Sequence, residues 1–273
     1  MKNVKNSLVL FDVDGTLTEP RQMISKDMIS SLRELSHITE IGLLTGSGLE
    51  YIKEQLWPLL ADREVSINCH VLPCNGTEYY IPNPDSPGNF IEIFKTNMEG
   101  KIGFEKFQLV MKTIMLQQAR IAAADYNIPF TGHHFQNRGS MVNWSPIGRN
   151  ANNGSRQQFI AMDKTYQIRS RHINMFRHLI LDEGVEDVTI KLGGDTSFDI
   201  YPTGWDKTFV LKHFPESDWD VIFVGDRCGP NGNDHELYEH LRHQERSFET
   251  GGPEETIEII DTYINRILGV LND

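Results

Sequence analysis

The stretch SLVLFDVDGTLTEPRQ, Ser7 to Gln22, decides the fold. Its first part, Leu8 to Val13, is an apolar run of strand length, rich in β-formers. Continuous rather than alternating hydrophobicity fits a central strand covered on both faces. Two aspartates, Asp12 and Asp14, fall at its end, and Gly15 and Thr16 follow. In a parallel α/β sheet the carboxyl ends of the strands border the ligand crevice. Two residues apart on an extended backbone, both carboxylates point the same way. They repel each other unless a cation or a shared proton relieves them. A hard divalent cation, most simply Mg2+, answers that need, with waters and a phosphate oxygen as further ligands. A metal-held aspartate is also a nucleophile toward phosphorus. The second carboxylate is then free for general acid–base work. Read alone, DVDGT also fits a solvated turn, because Asp and Gly are turn residues, but that is the weaker of the two readings.

Outward from this stretch, strands and helices alternate. Ser25 is a plausible N-cap, and Met28, Ile29, Leu32 and Leu35 recur at helical spacing. TEIGLLTGSG reads as a strand, LEYIKEQLWPLL as a helix and HVLPCNG as a short strand into a turn. That alternation predicts a parallel α/β sheet. The pattern then changes. YYIPNPDSPGNF is proline-rich and reads as a hairpin or loop, and a long helix spans IGFEKFQLVMKTIMLQQARIAAADY. SMVNWSPIG, DVTIKLGG and SFDIYP read as strands, with one helix over DKTYQIRSRHINMFRHLILDEG. After Gly204 the first pattern returns: a helix at DKTFVLKHF, a strand at WDVIFVGD and a C-terminal helix at PEETIEIIDTYINRIL. The expectation is an α/β, Rossmann-like parallel-sheet core split over 1–96 and 205–273. An α+β domain with an antiparallel sheet is inserted at 97–204.

A companion to the opening stretch is IFVGDRCGPNGNDHE, Ile222 to Glu236. Another apolar strand ends in an acid, Asp226, and a Gly/Asn-rich loop leads to Asn233 and Asp234. If the two strands are neighbours, Asp226 faces Asp12 and completes a cation site. Asp234 then ligates the metal or orients a ligand from behind. Thr45 and Ser47 in LLTGSG end a further strand with hydroxyls and glycines, a turn that can offer N–H groups and a hydroxyl to phosphate. Lys207 in GWDKT begins a helix and can balance phosphate charge, although a lysine read alone is by default solvated.

The totals agree with an ordinary soluble globular protein. The chain has 273 residues, 39% hydrophobic and 23% charged, with a formal net charge of −12. That charge argues against nucleic-acid partners and against anionic membrane surfaces. No run approaches the about 20 apolar residues of a membrane span. Three cysteines, Cys69, Cys74 and Cys228, make no disulfide framework and no zinc spacing. The expectation is a cytoplasmic protein.

The order DVDGT, hydroxyl-bearing strand end, lysine, GD and later ND resembles the haloacid dehalogenase superfamily of phosphotransferases. Within it the chain resembles the eukaryotic-type phosphomannomutases, through FDVDGTLTEPRQ, SPIGR, SFDIYPTGWDK and GPNGNDHE. The resemblance implies interconversion of mannose 1-phosphate and mannose 6-phosphate, as in GDP-mannose biosynthesis. It implies Mg2+, a hexose 1,6-bisphosphate activator, and a homodimer joined through the inserted cap domains. It makes Asp12 the phosphorylated nucleophile and Asp14 the general acid–base. Mg2+ then falls to Asp12, the Asp14 carbonyl and Asp226. Arg21 becomes a substrate contact at the core–cap border. Arg138, Arg149 and Arg156 fall where the family's phosphate-binding arginines lie, and Ser197 and Asp199 where sugar contacts lie. Arginine's planar fork suits a phosphate that must be held and released.

The chain departs from the family at Thr45, where glycine is usual, at Gly48, where an acid is common, and at Cys74, where glutamate is usual. These departures bear on substrate preference and on the balance of mutase against phosphatase. The alternative function is therefore a Mg2+-dependent sugar phosphatase of the same superfamily. A non-catalytic sugar-phosphate binder is a third reading, disfavoured because binding alone does not need the second aspartate of DVDGT.

Overall fold

In a computed structural model of the chain, residues 5–86, 88–230, 232–264 and 269 are described. The chain divides into two compact units, Met1–Lys95 with Asp206–Asp273, and Thr96–Trp205. Among the described residues no helix is long and apolar enough to cross a membrane.

The first unit is built on β1 (Asn6–Phe11). Leu8, Val9, Leu10 and Phe11 are all fully buried. The pleat sends Val9 and Phe11 into one apolar cluster, and Leu8 and Leu10 into another on the opposite face. Burial on both faces is why the run is continuous in hydrophobicity. The strands beside it are β2 (Glu40–Leu44), β3 (Cys69–Leu72), β4 (Glu78–Pro82) and β5 (Phe90–Lys95). On the other side lie β10 (Trp219–Gly225) and β11 (Ser247–Glu249), giving the order β11-β10-β1-β2-β3-β4-β5. From β11 to β3 the pairing is parallel; β4 and β5 form an antiparallel hairpin at the edge. Helix α1 (Lys26–Ser36) starts at Ser25, whose hydroxyl accepts the Met28 N–H at 3.2 Å. It packs with α2 (Leu49–Leu60) on the Val9/Phe11 face, and α3 (Arg63–Ser66) is a single turn.

The second unit opens with α4 (Met98–Ile102) and α5 (Phe104–Ala123). Its antiparallel sheet has the order β6-β7-β9-β8, from β6 (Phe135–Asn137), β7 (Val142–Trp144), β8 (Val188–Gly193) and β9 (Ser197–Pro202). Val142, Trp144, Ile190, Phe198 and Ile200 belong to its core, with the Trp144 and Phe198 rings stacked at 4.3 Å. Asn143 pairs with Asp199, and Asp199 with Lys191, so these polar residues share the opposite face.

Several elements differ from expectation. The helix expected from Asp163 to Gly184 is α7 (Ile168–Asp182) preceded by the last turn of a separate helix, α6 (Asn153–Tyr166), whose first ten residues were not anticipated. Gln167 between them is left-handed, with φ 50°. The Asp163 carboxylate bridges the break, accepting from Arg169 N at 2.7 Å and from Arg169 Nε at 2.6 Å. No glycine or proline announces that break. SMVNWSPIG forms a strand only over Val142–Trp144, and DKTFVLKHF forms a 3-10 stretch, Lys207–Lys212. Strands β6 and β11 and helix α8 (His235–Arg242) were not anticipated. The C-terminal helix begins as α9 (Pro253–Ile259) and continues as a π-type turn to Ile264; its expected continuation through 265–268 lies outside the described residues.

Candidate active site

In the first unit the carboxyl ends of β1 and β10 carry the acids. The strands are hydrogen-bonded neighbours, and Asp12 N donates to Val224 O at 3.0 Å. Asp12 follows β1, Asp226 follows β10, and Asp234 precedes α8. One carboxylate oxygen from each lies within 4.8 Å of the others. Lys207, fully buried, donates to both Asp12 and Asp234. It is no solvated lysine; its segment starts where Asp206 Oδ1 accepts the Thr208 N–H at 2.9 Å. Two glycines make room for the acids. A Cβ on Gly15 would stand 2.4 Å from Asp226 Oδ2, and one on Gly225 would stand 2.7 Å from Asp234 Oδ2.

Three carboxylates around one buried ammonium leave an excess of negative charge. Burial pushes the Asp12 carboxyl well above its usual range; Lys207 opposes that, while Asp234 and Asp226 add to it. Burial and the Asp234 charge push Asp226 up to about 6, with Arg227 Nε at 3.5 Å from Oδ2 opposing. Burial alone would lower Lys207, but Asp12 and Asp234 outweigh it and hold the ammonium above its usual value. The Oδ1 of Asp226 is buried and has no hydrogen-bond partner among the described residues. A buried lone pair of this kind, in an all-oxygen set, fits a hard divalent cation held by Asp12, Asp226 and Asp234.

Asp14 is not grouped with these three side chains. The chain turns at Val13, whose carbonyl accepts from Leu17 N and Thr18 N at 3.0 Å each, and Gly15 has φ +87°. The Asp14 Oδ1 accepts from Arg21 N at 3.0 Å, Tyr51 OH at 3.1 Å and Gln55 Nε2 at 3.4 Å. Arg21 itself is left-handed, with φ 65°. Thr45 is buried at the end of β2, and its Oγ1 accepts the Ser47 N–H at 3.1 Å. The loop holding both is tied down by Cys74 N to Ser47 O at 2.9 Å and Asn75 N to Thr45 O at 2.8 Å. Cys74, Asn75 and Gly76 are consecutive left-handed residues.

In the second unit the polar sheet face joins four of the expected residues through a fifth. Asn143 Nδ2 donates to Asp199 Oδ1 at 2.7 Å and to Ser197 Oγ at 3.1 Å. Its Oδ1 accepts from Arg149 Nη1 at 2.9 Å. Arg138 Nη1 lies 4.0 Å from Asp199 Oδ1. Arg156, on α6, donates to Thr196 Oγ1 at 3.1 Å and pairs with Asp195 at 3.6 Å, on the turn between β8 and β9.

The model of the family described as eukaryotic phosphomannomutase matches residues 27–266. Phosphomannomutase 2 of Dictyostelium discoideum is 32% identical over 265 residues, covering 96% of this chain and 98% of the relative. The chain belongs to the eukaryotic phosphomannomutase family. A phosphomannomutase of Dendrobium officinale is 35% identical over 86% of each chain. Solved structures at 12–14% identity share the fold alone. An N-terminally truncated IMP-nucleotidase of Plasmodium falciparum superposes with TM-score 0.66 at 13% identity, over 96% of this chain and 71% of that one. A trehalose-6-phosphate phosphatase C-terminal domain of C. albicans superposes with TM-score 0.56 at 13% identity, over 98% and 94%.

The sequence reading of this phosphomannomutase family member missed Asn143, Tyr51 and Gln55. Each left a signal. Asn143 breaks an apolar run, MVNW, and so must face away from the core. Tyr51 and Gln55 are four apart on α2, hence on one face, and Gln55 is only 3% exposed. The glycine beside the acids gives a direct test. Gly15→Ala adds a Cβ in collision with Asp226 and forces a left-handed alanine, so a loss of stability of about 1–2 kcal/mol is expected. Urea denaturation of the two proteins side by side measures it; equal midpoints would mean that Asp226 moves aside at no cost.

Proposed function

We propose that the chain is a phosphomannomutase that interconverts mannose 1-phosphate and mannose 6-phosphate. The observation that carries the reading is the group of Asp12, Asp226 and Asp234 around buried Lys207 at adjoining strand ends. In this reading Asp12 attacks phosphorus: an Asp12 Oδ–P bond forms as the sugar O–P bond breaks. The departing sugar oxygen takes a proton from Asp14, and in the reverse half-reaction Asp14 takes the sugar hydroxyl proton back. Tyr51 and Gln55 hold the Asp14 carboxylate for that transfer. Lys207 steadies Asp12 and the incoming phosphate charge. Bound at Asp12, Asp226 and Asp234, Mg2+ would supply neutralisation of the transferring group. Arg138, Arg149 and Arg156 of the second unit hold the phosphate that does not react, and Ser197 and Asp199 meet the sugar. Arg21, Thr45 and Ser47 complete the substrate contacts. A hexose 1,6-bisphosphate primes Asp12 and is the intermediate that turns round between half-reactions.

The family's homodimer, joined through the inserted units, and a cytoplasmic location belong to the same proposal. The latter is supported by three buried cysteines that form no disulfide. The test is one assay. Mannose 1-phosphate with Mg2+ and a hexose 1,6-bisphosphate should yield mannose 6-phosphate, with free phosphate a minor product. EDTA should abolish the reaction and Mg2+ should restore it. Free phosphate as the main product would replace the mutase by a sugar phosphatase. Full activity in EDTA would remove the metal from the reading.

A further inference from the structure

The polar face of the second unit holds a guanidinium and a carboxylate on the two sides of one amide. We propose that Asn143 is a positioning residue that aims Arg149 for phosphate, an inference that rests on the proposed function. Asn143 is 3% exposed, at the centre of a three-residue strand, and its two amide atoms are used in opposite senses. The Oδ1 accepts from Arg149 Nη1 at 2.9 Å, and Nδ2 donates to Asp199 Oδ1 at 2.7 Å. Nδ2 also reaches Ser197 Oγ at 3.1 Å and Phe198 O at 3.3 Å. An amide can do this because it carries a donor and an acceptor on one rigid plane; a carboxylate offers only acceptors.

The consequence is electrostatic. A neutral oxygen holds Nη1 of Arg149 in place without cancelling its charge. A carboxylate at the same position would pair with the guanidinium and compete with any phosphate. Asp199 is meanwhile fixed from two sides. Register places it opposite Asn143 on one neighbouring strand and opposite Lys191 on the other. Its carboxylate lies over Gly193, where a Cβ would stand 2.6 Å from Oδ2. Arg138 Nη1 stands 4.0 Å from the same Oδ1 that Asn143 holds. One amide therefore sets Arg149 and Asp199 directly and faces Arg138 through Asp199.

A double-mutant cycle tests this on the full chain. Asn143→Leu and Asn143→Ser are each made alone and with Arg149→Ala. Binding of mannose 1-phosphate is followed by calorimetry and thermal midpoints by circular dichroism. Loss of a hydrogen bond to a charged group predicts about 10- to 100-fold weaker binding for each single Asn143 variant. In the Arg149→Ala background the Asn143 change should cost clearly less than it does alone, because its action through Arg149 is gone and only its hold on Asp199 and Ser197 remains. If the two losses multiply in full, or if binding is unchanged in both folded Asn143 variants, the inference is overturned. The serine variant keeps the cycle readable should leucine fail to fold. A wild-type chain that binds mannose 1-phosphate without interconverting it would defeat the mutase reading and leave the cycle intact. A wild-type chain that does not bind it would overturn both.

Discussion

Asp12→Asn is expected to abolish mutase turnover, by on the order of 10^4-fold or more, while the fold persists. Asparagine has the shape of aspartate but cannot form the aspartyl-phosphate, so the loss is one of chemistry. Its effect on stability has two parts. The ammonium of Lys207 loses one of its two carboxylate partners. Asp234 and Asp226 lose a like charge that burial makes costly. The Asp234 partner remains, so Lys207 is not left unpaired. The two effects oppose each other, and the thermal midpoint in metal-free buffer should stay within a few degrees of wild type. Turnover is read as mannose 6-phosphate formed under saturating activator. A variant within tenfold of wild type, with contaminating enzyme excluded, would remove Asp12 from the nucleophile role. A collapsed midpoint with lost activity would show that the carboxylate serves the fold first.

Lys207 was legible as a counter-charge for phosphate, but its burial and its two carboxylate partners were not. Leu8 to Phe11 announced a doubly covered strand because burial on both faces writes itself as an unbroken apolar run. Asp12 and Asp226 were legible because each ends such a run. Lys207 ends nothing apolar. Its partners are 195 residues before it and 27 after it, and they meet it only in the folded chain. The same limit holds for Asp14, whose carboxylate is held by two side chains of α2 rather than grouped with Asp12. A turn that starts at Val13 decides that, and no spacing rule reveals it. In the second unit the arginines came into view through resemblance, but Asn143 did not. Its position in MVNW marks it as facing away from the core, while its partners Asp199 and Arg149 are set by sheet register and by the loop after β7.

Arg149→Ala separates a mutase from a phosphatase. A mutase binds its bisphosphate in two orientations, so that either phosphate can meet Asp12. A second phosphate site must then hold whichever phosphate is not reacting. Its binding energy positions the sugar and is used in reaching the transition state. Loss of a partner from a desolvated charged contact costs about 2 to 4 kcal/mol, or about 30- to 1000-fold in kcat/KM. Part of that cost is local: Asn143 Oδ1 loses its donor, and the amide is freed to turn away from Asp199. Hydrolysis of p-nitrophenyl phosphate should fall far less, because that substrate has no second phosphate to hold. The ratio of the two losses is the readout, since a general weakening of the protein lowers both together. Equal losses would assign Arg149 to the fold of the second unit. The distal phosphate site would then have to lie elsewhere, and the sugar-phosphatase reading of Thr45 and its hydroxyl would gain what the arginine lost.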